Sequence, residues 1–103
     1  MKILSPWVSF NSEVYGNSHC RFMHFVARDA PQYATAKIIL QPDKSWGLLI
    51  AHRGMFYNTP SFVRRGRIFS LETAKSIIDA RLPKFGYTIT NSDTQYKNYL
   101  ILQ

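Results

Sequence analysis

In residues 70–82, "SLETAKSIIDARL", apolar positions recur in steps of three and four: Leu71, Ala74, Ile77, Ile78 and Leu82. That spacing puts them on one face of an α-helix. Ser70 is suited to cap the first turn, and Glu72 lies where the helix dipole favours an acid. Arg81 falls in the last turn, and Pro83 and Gly86 stop the helix. Lys75 and Asp79, one turn apart, are expected to pair on its exposed side.

Elsewhere the apolar runs are short, bounded by turn residues, and rich in β-branched and aromatic side chains, as strands require. "ILSPWVSF" near the start reads as an edge strand, because Pro6 cannot donate to a central ladder. "NSEVYGNS" (11–18) is turn-rich, "HCRFMHFVA" (19–27) reads as a strand, and "RDAPQY" breaks it. "ATAKIILQ" and "WGLLIAHR" flank Pro42-Asp43-Lys44-Ser45 and predict a hairpin, since Pro fixes φ and Asp bonds its own backbone. A turn at "NTPS" (58–61) has strand residues on both sides. "YTIT" and "YKNYLILQ" predict a closing hairpin around "NSDTQ", although the last tract also fits a frayed helix.

The pattern predicts an α+β fold: a mainly antiparallel sheet of about five or six strands, with one amphipathic helix (about 70–82) packed on one face. With no second helix to serve as a crossover, antiparallel pairing is the expectation. At 103 residues the chain reads as a single domain, 1–103.

Charge changes the picture. Thirteen Lys and Arg face six Asp and Glu, a net charge of +7 at pH 7. Such a field attracts polyanions, among them nucleic acid and acidic protein surfaces. Cys20 is the only cysteine, which excludes an internal disulfide and a Cys-rich zinc site and fits a reducing compartment. "MKILSPWVSF" is too short and polar for a signal peptide, and no run reaches the ~18–20 apolar residues of a membrane span. A cytoplasmic protein with no membrane contact is expected.

The basic residues concentrate in "HRGMFYNTPSFVRRGRIF" (52–69), which has four arginines, four aromatic rings and no acid. Phosphates are held by Arg or Lys, and single-stranded bases stack on exposed rings. Arg53, Arg64, Arg65 and Arg67 are therefore candidate phosphate contacts, with Phe56, Tyr57 and Phe62 as candidate stacking platforms. In an extended segment Arg65 and Arg67 share a side. The competing reading makes the rings core residues and the arginines a solvated rim.

"RRGRIF" lacks the spacing of the RNA-recognition-motif signature, and that fold needs two helices. Trp46 on a strand, Arg53-Gly54, "FSLETA" opening a helix and Gly86-Tyr87 after it give residues 46–87 a partial resemblance to WGR domains. That resemblance implies a β-rich module associated with DNA ends. "AHRGM" stands where that family has Trp-Gly-Arg, so no family is assigned.

Other chemistry is sparse. On a strand, Cys20 and His24 would lie roughly 13 Å apart and His19 on the opposite face, so no metal site is expected. His52 beside Arg53, or His24, could serve a small ribonuclease as base, because a neighbouring cation keeps an imidazole neutral. No phosphate loop or nucleophile elbow occurs, and neither a catalytic residue nor a cofactor is assigned. Six Tyr and two Trp add material for a protein interface. The tail "QYKNYLILQ" could pair as an edge strand with a second copy, giving a homodimer. The leading expectation is a non-enzymatic binding protein that contacts nucleic acid, single-stranded or RNA. The alternative is a small inhibitor or adaptor docking on a larger host protein, as phage-type anti-defence proteins do; a small ribonuclease comes third.

Overall fold

A computed structural model describes residues 2–13, 16–23, 34–52, 55–58 and 67–102. The strands are β1 (Lys2–Leu4), β2 (Val8–Ser12), β3 (Gly16–Arg21), β4 (Ala36–Leu40), β5 (Trp46–His52), β6 (Met55–Asn58) and β7 (Tyr87–Ile89). Helix α1 (Leu71–Arg81) runs into a short 3-10 turn (Leu82–Phe85), and α2 (Asp93–Leu102) follows β7. The fold is α+β, with β2 to β6 forming a five-stranded antiparallel sheet in sequence order. β1 and β7 form a separate two-stranded parallel sheet, with Lys2 opposite Tyr87 and Leu4 opposite Ile89.

The β4–β5 hairpin forms around the predicted turn. Gln41 and Ser45 close it through Gln41 N–H to Ser45 O (2.8 Å), and Asp43 Oδ1 accepts from Ser45 N–H (3.0 Å). Ser70 caps α1, its Oγ accepting from Thr73 N–H. On β4 and β5 the buried residues alternate, and Ala36 stands opposite Ile50 as Ile38 does opposite Leu48. Against this face α1 lays Ala74 and Ile78, joined by Leu82 and by Leu4 and Tyr87 of the small sheet. A second cluster, Cys20, Phe22 and Ala34 with Val8 and Phe10, lies apart from it. Phe10 and Phe22 meet edge to face at 5.8 Å.

Several expectations need correction. "ILSPWVSF" is not one strand: the break at Ser5-Pro6-Trp7 sends β1 to the small sheet and β2 to the large one. The third strand starts earlier than expected, at Gly16, and ends at Arg21, leaving only residues 13–15 between β2 and β3. Parallel pairing does occur; its connection is the whole intervening sheet and α1, so it needs no dedicated crossover helix. The closing hairpin is absent, because residues 93–102 are helical and cannot supply an edge strand. Ser92 caps α2 through its Oγ to Gln95 N–H (3.1 Å), and Tyr96 is buried with its hydroxyl donating to Met23 O (3.0 Å). Among the described residues the edges of the large sheet are instead β2 and β6. No helix there is long and apolar enough to cross a membrane.

Asp79 does not pair with Lys75. It reaches inward to Arg21, whose side chain is fully buried at the junction of the two sheets and α1. Arg21 Nε–H donates to Asp79 Oδ1 (2.9 Å), and its two terminal nitrogens reach Asp79 Oδ2, Asn91 Oδ1 and the carbonyls of Ser5 and Thr90. These five bonds equal the five N–H donors of a guanidinium, so none is left unmet. Trp7 stacks on the same group at 4.8 Å and donates its indole N–H to Asp79 Oδ2 (3.3 Å). Among the described residues, the acid that Lys75 reaches is Glu72, at 4.0 Å.

Gly86 sets the turn from the 3-10 segment into β7 with φ 88° and ψ 15°, a left-handed conformation. A Cβ there would meet nothing within 4 Å, so a substitution costs backbone strain alone. Gly86→Ala is expected to lower unfolding free energy by about 1 kcal/mol, read from the urea midpoint at unchanged slope. An unchanged midpoint would count against this turn geometry.

Candidate nucleic-acid interface

The candidate surface is built on the β5–β6 hairpin. Register places Leu49 opposite Asn58, Ile50 opposite Tyr57, Ala51 opposite Phe56 and His52 opposite Met55. Phe56 and Tyr57 thus belong to an edge strand of the five-stranded sheet. The chain leaves β6 after Asn58 and is back beside β5 at Ile68, whose carbonyl accepts from Trp46 N–H (2.7 Å). Both ends of the intervening tract are therefore fastened to one strand. Phe62, Arg64 and Arg65 within it, and Arg53 between β5 and β6, lie outside the described residues. His24, a candidate base, also lies outside them. His52 closes β5.

Arg67 is the one candidate arginine whose surroundings are described. It is exposed, and its guanidinium forms an ion pair with Asp43. The hydrogen bonds from Ser45, with Arg67 beside them, hold the Asp43 carboxyl below its ordinary range. Gln41, Pro42, Asp43 and Arg67 line a shallow, open depression of about 360 Å³. A phosphate reaching Arg67 must compete with Asp43 and gains less there than at a free guanidinium.

Arg67 sits at the β4–β5 turn, near Trp46, whereas Arg53 follows His52 at the other end of β5. Those ends are separated by six residue steps, roughly 20 Å at ~3.3 Å per residue. His52 and Arg67, described residues at the two borders of the basic tract, thus lie near opposite ends of β5.

Cys20 is buried and its thiol is pushed up to about 12 by burial, so it stays protonated and unreactive at neutral pH. His19 is bound at Nδ1 to Ser9 Oγ (3.0 Å) and meets the Trp46 ring edge to face at 5.5 Å. Among the described residues no three His, Cys, Asp or Glu are placed to hold a metal.

Residue type alone overlooked Arg21, which no nearby residue marks as buried: its acid lies 58 positions away. It also overlooked the Ser9–His19 contact, whose signal would have been the β2–β3 register. No protein-family model, curated protein or solved structure matches this chain.

Proposed function

We propose that the protein binds nucleic acid, single-stranded or RNA, through the basic aromatic tract held to β5 at Asn58 and Ile68, and that it does so without catalysis. The observation that carries this reading is the attachment of an acid-free, arginine-rich tract at two points of β5, at Asn58 and at Ile68, in a chain of net charge +7. Arg53, Arg64 and Arg65 hold successive phosphates, Arg67 adds a weaker contact shared with Asp43, and Phe56, Tyr57 and Phe62 offer rings for base stacking.

Fluorescence anisotropy with labelled single-stranded RNA and DNA over a salt series tests it. The Arg64→Ala/Arg65→Ala variant is expected to bind more weakly, with a salt slope shallower by about 1.4 log units per decade, from two contacts at ~0.7 each. Arg67→Ala alone is expected to change the slope by less than either. Equal slopes for wild type and the double variant would sink the proposal.

A second reading, docking on an acidic protein, is favoured by Phe69, which is 62% exposed at the end of the basic tract. A complex that survives moderate salt and contains no nucleic acid would support it in place of the first.

A further inference from the structure

Residues 67–69 alternate between solvent and core. Ile68 packs against the main core cluster, and its carbonyl is tied to Trp46 N–H. On either side of it the Arg67 side chain is 67% exposed and Phe69 is 62% exposed. Residues two apart in an extended segment point the same way, with Cα positions roughly 7 Å apart at ~3.3 Å per residue. A guanidinium and an open ring therefore share one side of the chain, where Arg67 joins Gln41, Pro42 and Asp43 in lining the depression.

Arg67 is also oriented. Its Nη1 donates to Asp43 Oδ2, and Asp43 is itself pinned, because its Oδ1 accepts from Ser45 N–H (3.0 Å) and meets the Ser45 hydroxyl. Among the described residues nothing else binds the guanidinium, so the edge formed by Nε–H and Nη2–H, two parallel donors, remains open. The Asp43 charge beside it offsets the cation and disfavours an anion there, which leaves the two donors for a neutral ligand. The O6/N7 edge of guanine presents two parallel acceptors, whereas adenine has an acceptor and a donor at the same place. Cytosine also has two adjacent acceptors, but guanine brings the larger face to lie on a ring such as Phe69. We propose that Arg67, held by Asp43, reads the O6/N7 edge of a guanine in the bound strand while Phe69 stacks on that base. This rests on the nucleic-acid reading above and assigns Arg67 to a base where the other arginines take phosphates.

The test is fluorescence anisotropy at fixed salt with short labelled oligouridine strands. They carry guanosine, 7-deazaguanosine, adenosine or cytidine at one central position and are compared with the all-uridine strand. Guanosine is expected to tighten binding about tenfold over uridine. The 7-deaza analogue, which lacks the N7 acceptor, is expected to lose most of that gain. Arg67→Lys keeps the charge but not the fork, so it is expected to abolish the preference and to bind the all-uridine strand within about twofold of wild type. Asp43→Asn is expected to lower the preference and to bind the all-uridine strand more tightly, since the cation is freed for phosphate. Phe69→Ala is expected to weaken the guanosine strand more than the all-uridine one. If adenosine, cytidine or uridine matches guanosine, or if Arg67→Lys keeps the preference, the guanine reader is overturned while nucleic-acid binding stands. Binding to none of the strands overturns both.

Discussion

Replacing Arg21 by alanine is expected to lower unfolding free energy by about 3–5 kcal/mol, the usual loss when one partner of a buried ion pair is removed. The substitution strands the carbonyls of Ser5 and Thr90 in the interior and leaves the Asp79 carboxylate without its cation. It also removes the surface on which the Trp7 ring rests. A domain of this size has about 5–15 kcal/mol in hand, so much of its stability goes at one position. The expected fall in melting temperature is at least about 12 °C. Arg21→Lys keeps the charge but not the planar fork and is expected to recover only part of the loss. The Arg21→Met/Asp79→Leu pair is expected to be more stable than Arg21→Ala, because apolar groups leave no orphaned charge. If Arg21→Ala melts within about 3 °C of wild type, the guanidinium is not the joint described above.

Ile78→Ala is the second large effect, expected to cost about 2–5 kcal/mol. Ile78 is completely buried between α1 and the sheet and belongs to the same cluster as Ile38, Leu48 and Ile50. Alanine is the better helix former, so the helix itself gains slightly and the whole deficit comes from lost packing and the cavity left behind. Ile77→Ala, one position along and only partly buried, is expected to cost less than half as much. Equal losses at the two positions in urea unfolding would mean that the helix face is assigned wrongly.

What could be read in advance follows the distance over which each signal acts. Helix α1 was legible because cap, periodicity and stop signals agree within a dozen residues, and the β4–β5 hairpin because Pro42-Asp43 forms its own turn. The tail misled for a local reason. Its Tyr, Leu and Ile suggest a strand, yet Ser92 and Gln95 have the spacing of a capping box, and the Ser92 hydroxyl does bind the Gln95 N–H. Nothing local marks β1 as the partner of β7, since their paired residues stand 85 positions apart. Arg21 was visible only as one of thirteen cations; its burial depends on β1, β7, α1 and Trp7 arriving together. The site divides the same way. That the arginines share one acid-free tract is plain from the order of residues, while the fastening of β6 and Ile68 to β5 and the engagement of Arg67 by Asp43 come from contacts across the fold.

The β1–β7 pair also sets a timetable. During synthesis at about 5–20 residues per second, Lys2–Leu4 emerges some 4–17 s before Tyr87–Ile89 can join it. The β2–β6 hairpins pair only near neighbours and can form meanwhile, as short loops close at little entropic cost. Arg21 must then wait, charged and without Asp79, Thr90 or Asn91, on a sheet already taking shape. The nascent protein therefore passes through a stage in which its future interior holds an open cation, and the arrival of residues 79–91 is the step that closes it.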